Sequence, residues 1–119
     1  MLSLPSSVRI FVCLEPADMR RSFDGLARMA REVAGRDPSS GHLFVFRNRR
    51  GDRVKVLYWD RDGYALWYKR LEAGVFRFPW MHGEAAEVSP AELAMVLEGI
   101  RAQGVHREKR YHKNQDLAQ

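Results

Sequence analysis

The sequence predicts an α+β fold: a mostly antiparallel sheet of about five strands, in the order β-α-β-β-β-β-α, with both helices on one face. Short apolar runs rich in aromatic and β-branched residues are separated by turns that contain Gly and Asp, which is typical of consecutive strands. These runs lie at 43–46, 54–59, 64–68 and 75–78. Two other segments repeat their apolar residues every three or four positions, as amphipathic helices do.

The first strand and the first helix precede these runs. Residues 8–14 alternate, and one set of side chains is expected to face the core: Val8, Ile10, Val12 and Leu14. The helix is predicted over roughly 19–34. Asp18 is the expected N-cap, with Ser22 as a competing start, and Gly35 is the expected C-cap.

The second helix has the clearest start signal in the chain. Ser89-Pro90-Ala91-Glu92 has the composition of a capping box, and the helix is expected to end near Ala102, before Gly104. A short strand can form near 85–88. Residues 1–101 are therefore predicted to form a single domain, and 102–119 a basic, mobile tail that lacks an apolar repeat.

Composition bounds the class of protein. The chain has 119 residues and a net charge of +5, and its single cysteine excludes an intrachain disulfide. Residues 43–80 carry nine basic and four acidic side chains, whereas 81–100 carry four acidic and none that is basic. A positive side of this kind suits a polyanion or an acidic partner. No apolar run is long enough to span a membrane, so a cytoplasmic protein is expected.

The connection between the first two apolar runs carries the strongest functional signal. Four of its seven residues are arginines at a predicted hairpin tip, where no core can bury them: Arg47, Arg49, Arg50 and Arg53. Guanidinium groups on a β-ribbon can neutralise DNA phosphates, and Lys55 and Lys69 could extend the patch. The alternative is a solvated tip at which Asp52 pairs locally.

Two further sets of residues have both a functional and a structural explanation. Asp18-Met19-Arg20-Arg21 could present Arg20 and Arg21 to an anion or a partner, or could simply cap the helix with an ion pair to Asp24. Trp59 and Trp67 could stack on bases or enter a partner's pocket, although packing against the sheet explains them as well. Together with Lys55 and Lys69 they are predicted to share one face of the sheet.

The residue pattern gives little support to catalysis. The acidic residues of the strand region lie mainly in turns, where Asp is expected for turn chemistry alone. The histidines and Cys13 lack metal-ligand spacing, and no phosphate-binding glycine loop is present. We expect neither a metal nor another cofactor. A metal-dependent nuclease, which needs several converging carboxylates, is the least favoured hypothesis.

Several strings resemble a known family. The residues DMRRSFDGL at 18–26 and FVFRNRRGDRVKVLYWD at 44–60 are similar to those of TnpB-type accessory proteins. These are encoded by the second reading frame of the bacterial insertion-sequence sixty-six family. The resemblance covers roughly 1–101. It implies a role in transposition beside a separate, larger transposase, and it supplies no catalytic motif.

Two main hypotheses follow. The first is a non-catalytic accessory protein for transposition that binds DNA, at the element's ends or non-specifically, through the arginine-rich hairpin and the basic sheet surface. Its expected partners include the transposase and the element's other accessory protein. The second is an interaction module that docks onto the transposase without DNA contact, through the aromatic sheet face or the acidic residues around the second helix: Glu84, Glu87, Glu92 and Glu98.

Overall fold

The computed structural model describes residues 5, 7–78, 83–99 and 109–111. These residues form one five-stranded sheet and two helices, which confirms the α+β class and the predicted order of elements. The first helix, α1, continues directly into a π-helical segment, Ala30–Ala34. The elements are β1 (Ile10–Cys13), α1 (Phe23–Met29), β2 (Leu43–Arg47), β3 (Arg53–Asp60), β4 (Gly63–Arg70), β5 (Ala85–Val88) and α2 (Pro90–Glu98).

The strands lie in the order β4-β3-β2-β1-β5. β1 and β2 are parallel because α1 carries the chain back across the sheet between them, whereas the other three neighbouring pairs are antiparallel. The fifth strand is formed by residues 85–88, which pair with β1. The run 75–78, predicted as a strand, is not one. Phe76 instead enters the core, and its backbone N–H donates to the Gly51 carbonyl at 2.8 Å.

The prediction that both helices lie on one face is wrong. Ile10 and Val12 of β1 belong to the core on the α2 side of the sheet, whereas Phe11 and Cys13 belong to the core on the α1 side. β2 alternates in the same way. Because successive side chains of a strand point to opposite faces, a central strand that is apolar at every position needs cover on both sides.

The helix ends follow local chemistry only in part. The capping box of α2 is confirmed, since Ser89 Oγ accepts from the Glu92 N–H at 3.1 Å and Glu92 Oε1 accepts from the Ser89 N–H at 2.9 Å. However, α2 ends at Gly99, which has φ +76°, and not near Ala102. Gly35 caps the first helix as predicted.

The start of α1 was predicted incorrectly. Ser22, the competing candidate, is the N-cap. The Asp18 carboxylate instead accepts hydrogen bonds from the backbone N–H and the guanidinium of Arg20, so it closes a separate turn ahead of the helix. Ser22 occupies the N-cap position without a hydrogen bond from its side chain to the first amides of α1.

Three residues of the predicted tail are described, and they lie against the domain. The Arg110 guanidinium donates to the carbonyls of Val75 at 3.2 Å and Val96 at 3.4 Å, and lies 5.3 Å from the centre of the Phe76 ring. These contacts join the segment 109–111 to the end of α2 and to the chain that follows β4. The rest of the predicted tail, and the domain boundary at residue 101, lie outside the described residues.

Candidate nucleic-acid interface

The loop between β2 and β3 is held in one conformation by Asn48. The side-chain oxygen of Asn48 accepts from the backbone N–H groups of Gly51 and Arg53, each at 3.0 Å, and its amide nitrogen donates to Asp52 at 2.6 Å. Gly51 has φ +84°, a conformation that glycine adopts without steric cost. The turn therefore orders its backbone without using the arginine side chains.

Arg49 and Arg50 project from this loop into solvent. Both are exposed, and the side chain of Arg50 is 84% accessible. Its nearest anion is the Asp52 carboxylate, 4.0 Å from Nε, and Arg49 has no hydrogen bond or ion pair within the described residues. The hydrogen bond from Asn48 lowers the pKa of Asp52, and the nearby Arg50 contributes less. Two cations therefore remain hydrated at the tip.

The two arginines form one wall of an open groove of about 660 Å³ at the end of the sheet where β1 and β2 terminate. Its lining includes four arginines and two glutamates, together with the apolar side chains of the segment 75–78. The lining residues are Leu14, Glu15, Arg47, Arg49, Arg50, Gly51, Val75, Phe76, Arg77, Phe78, Gly83 and Glu84. We call this feature the arginine groove. Within it, Arg47 is half-buried and donates to the Leu14 carbonyl at 2.6 Å.

Arg77 belongs to the groove but was not among the predicted residues. Phe76 is buried and Phe78 is half-buried against the α2-side core, so the residue between them faces outward. The alternation of residues 76–78 was the available signal. What the alternation does not indicate is that the run lies beside the β2–β3 loop, where the Phe76 N–H donates to the Gly51 carbonyl, and this contact brings Arg77 to the groove.

Lys55 was predicted to contact nucleic acid and is in the wrong place to do so. Its side chain is only 5% exposed. The ammonium donates to the carbonyls of Met19 and Arg21, each at 2.7 Å, and lies 4.6 Å from the centre of the Tyr68 ring. Lys55 therefore ties the turn before α1 to the sheet and has no room for a phosphate.

Arg53 and Lys69 are exposed or half-exposed, but they lie away from the groove. The Arg53 guanidinium donates to the Tyr68 hydroxyl at 3.1 Å, on the α1 side of the sheet. Lys69 lines a smaller cleft of about 270 Å³ beside the end of α2 and Arg110. Of the six residues predicted to bind nucleic acid, the structure brings together Arg47, Arg49 and Arg50.

The prediction that Lys55, Trp59, Trp67 and Lys69 share a face is wrong for a simple reason. β3 and β4 are joined by a two-residue turn that pairs Asp60 with Gly63. Every odd-numbered residue of β3 is consequently opposite an even-numbered residue of β4. Cross-strand partners point to the same face, so Lys55 and Trp59 lie on the α1 side, and Trp67 and Lys69 lie on the α2 side.

Both tryptophans are half-buried. The Trp59 ring meets Tyr64 edge-on, with 5.0 Å between the ring centres, and its indole N–H donates to the Arg61 carbonyl. Trp67 packs against the α2-side core. Since the indole N–H of Trp59 already has a partner, the structure explains its position without a ligand.

Arg20 and Arg21 emerge from the turn that precedes α1. The Arg20 side chain is 91% exposed and pairs with Asp18, not with Asp24 as anticipated. Hydrogen bonds from Arg20 lower the pKa of Asp18 to about 2. Arg21 is also exposed, and the stem of its side chain lies over Gly25, where an added Cβ would be 3.2 Å from it.

The described residues contain no group of three or more His, Cys, Asp or Glu side chains arranged to hold a metal ion. None of the described helices has the length and apolar character that crossing a membrane requires. Cys13 is buried, and this burial raises the pKa of its thiol to about 12, with a smaller contribution from Glu15.

Comparison with known proteins gives a family and two relatives. A family model described as IS66 Orf2 like protein matches residues 8–107, which confirms the resemblance and extends it beyond residue 101. Uncharacterized protein y4hO of Sinorhizobium fredii (strain NBRC 101917 / NGR234) is 41% identical over 100 residues, which cover 84% of this chain and 87% of the relative. Uncharacterized protein y4jC of the same strain is 37% identical over 100 residues, with 84% and 86% covered. No solved structure matches the chain.

Proposed function

The chain belongs to the IS66 Orf2 like protein family, which makes it an accessory protein associated with an insertion sequence, and from this premise we propose that it binds DNA during transposition. The arginine groove is the proposed contact surface. Its proposed partners are the element's DNA, the transposase and the element's other accessory protein.

The observation that carries this proposal is the state of Arg49 and Arg50. The hydrogen bonds that order their loop come from Asn48 and not from the arginine side chains. The guanidinium groups of Arg49 and Arg50 therefore remain exposed. Arginine presents its donors in a planar fork that matches the oxygens of a phosphate. Arg47 and Arg77 line the same groove. A DNA backbone that enters it would therefore lie near four positive side chains and only two negative ones, Glu15 and Glu84.

A salt titration tests the proposal. A labelled DNA duplex is titrated with the protein at several salt concentrations, and the slope of log Kobs against log salt is measured. Each lost phosphate contact flattens this slope by about 0.9. The double variant Arg49→Ala/Arg50→Ala should therefore lose up to about 1.8 from the slope and bind more weakly at every salt concentration.

The matched control removes two exposed arginines from another surface. Arg28 and Arg31 lie on the first helix and its π-helical extension, away from the groove. Arg28→Ala/Arg31→Ala changes the net charge equally and should leave the slope within about 0.5 of the parent value. Equal effects of the two double variants, or duplex binding that is independent of salt, would contradict the role of the groove.

The alternative proposal is docking onto the transposase without DNA contact. The structure leaves fewer acidic groups for such docking than the sequence indicated: Glu87 is paired with Arg9, and Glu92 closes the capping box, whereas Glu84 and Glu98 are exposed. Co-purification with the transposase that survives nuclease treatment, together with no binding of the purified protein to DNA, would favour this alternative.

A further inference from the structure

The α1 side of the sheet carries a second surface whose composition differs from that of the arginine groove. Within the described residues only three large apolar side chains are strongly exposed, and two of them lie here: Phe23 at 43% and Tyr68 at 46%. Arg20 and Arg21 shortly precede Phe23 in the chain, and Arg53 donates to the Tyr68 hydroxyl. We call these five residues the aromatic-basic surface.

Lys55 brings the parts of this surface together. Its ammonium binds the carbonyls of Met19 and Arg21 at 2.7 Å and lies 4.6 Å from the Tyr68 ring centre. Since Arg53 donates to the Tyr68 hydroxyl at 3.1 Å, one buried side chain positions the turn before α1 beside the edge strand β4. Phe23 follows two residues after Arg21 at the start of α1, which contacts β3 and β4.

The charge of this surface is only partly compensated. No carboxylate of the described residues lies within ion-pair distance of Lys55, Arg21 or Arg53, and the three partners of the buried ammonium are all neutral. Lys55 is buried and its donors are satisfied, so the exposed Arg21 and Arg53 are the cations of this surface that an anionic ligand can reach. Asp18 offsets Arg20, and Asp24 is the other exposed acid nearby.

We propose that the aromatic-basic surface binds single-stranded DNA, with bases stacked on Phe23 and Tyr68 and phosphates on Arg21 and Arg53. Proteins that bind single strands without sequence preference combine a cationic track with exposed rings, because every base has a π face. A duplex hides those faces inside its stack. This surface shares no residue with the arginine groove at the end of the sheet, so the inference does not depend on the proposed function.

Two substitutions separate this site from the groove. Phe23→Leu/Tyr68→Leu keeps an apolar side chain of smaller volume at each position and removes both stacking faces. Binding is measured by fluorescence anisotropy with a labelled 20-nucleotide oligo-dT strand and with a 20-bp duplex. We expect the affinity for oligo-dT to fall by about tenfold or more, and the affinity for the duplex to stay within about twofold. Arg49→Ala/Arg50→Ala should show the opposite preference, weakening duplex binding more.

Tyr111→Leu is the matched control, since Tyr111 is the third strongly exposed aromatic residue in the described part of the chain and lines the smaller cleft beside α2. It should leave oligo-dT binding unchanged. Equal losses in Tyr111→Leu and Phe23→Leu/Tyr68→Leu would overturn the proposal, as would an absence of oligo-dT binding by the parent protein. If the parent protein does not bind oligo-dT, an acidic surface of another protein becomes the better candidate for the partner of the aromatic-basic surface.

A second measurement guards against a folding artefact from Tyr68→Leu, which also removes a partner of Lys55. Phe23→Leu alone changes no hydrogen bond, and Arg53→Gln alone tests the phosphate contact. The first should weaken oligo-dT binding about fivefold, and the second should flatten its salt slope by about 0.7. Both should show parent-like circular dichroism. Parent-like oligo-dT binding in both folded variants would refute the inference even if the double variant fails.

Discussion

Replacing Gly74 with alanine is predicted to detach the segment 109–111 from the domain. Gly74 has φ +82°, and a Cβ built on it overlaps the carbonyl oxygen of Lys109. That oxygen belongs to the backbone, so it cannot move aside as the end of a flexible side chain would. Gly51 provides a matched comparison because it has φ +84° and its nearest neighbour to a built Cβ, in Val75, is 3.5 Å away.

The expected magnitude follows from the difference between the two sites. Alanine at either position costs about 1–2 kcal/mol because of the left-handed backbone. Gly74→Ala additionally disrupts the anchor made by Arg110, which includes hydrogen bonds to the Val75 and Val96 carbonyls and the contact with the Phe76 ring. At roughly 1 kcal/mol for each interaction, Gly74→Ala should destabilise the protein by about 1–3 kcal/mol more than Gly51→Ala.

Urea unfolding of four proteins tests this reasoning. Both alanine variants are compared in the full chain and in a chain that ends at residue 108, which lacks the anchor. The excess cost of Gly74→Ala should be present in the full chain and absent in the shortened one. Equal costs in the full chain, or an excess that survives the truncation, would refute the idea that Gly74 makes room for the Lys109 carbonyl.

Three other predictions concern single side chains. Ser89→Ala removes the cap of α2 and should lower the free energy of unfolding by about 1 kcal/mol in urea titrations; a parent-like value would show that water replaces the cap without cost. Because Arg20 lowers the pKa of Asp18 to about 2, their interaction should stabilise the fold above the unfolded pKa and be lost as the pH falls through about 2. An NMR titration should place the Asp18 midpoint there in the parent and at a higher pH in Arg20→Gln, which loses the guanidinium hydrogen bonds but keeps the one from the backbone N–H of residue 20. Burial raises the pKa of Cys13 to about 12, so a thiol reagent at pH 8 should label this residue only on unfolding; rapid labelling of the folded protein would contradict the buried location.

Sequence patterns predicted the elements whose causes are local. The capping box at Ser89 and the glycine at the end of the first helix depend on neighbours within a few residues, and both were predicted correctly. The two hairpins, β2–β3 and β3–β4, were predicted from the Gly and Asp residues of their turns. The exposure of Arg49 and Arg50 was predictable for the same reason, since a turn between two apolar strands must lie at the surface.

Pairing between distant parts of the chain was not predictable in this way. The short strand expected near 85–88 is confirmed, but its partner was not predictable, because nothing near residue 85 in the sequence indicates that it pairs with the edge of β1. The apolar run at 75–78 was predicted as a strand, yet its two phenylalanines pack in the core on the α2 side without forming one. A short apolar run satisfies either role, and the position of the partner decides between them.

By itself, the amino-acid sequence determined the class of fold, the positions of the turns and caps, the exposed arginine loop and the family, because each depends on residues close together in the chain. The tertiary structure alone decided that the helices cover opposite faces, that Lys55 is buried beneath the turn of Arg20 and Arg21, and that Arg77 joins Arg47, Arg49 and Arg50. Those arrangements depend on strand register and on contacts between residues that are far apart in the chain. A change of register by one residue moves a side chain to the other face of a sheet, and composition does not encode that choice.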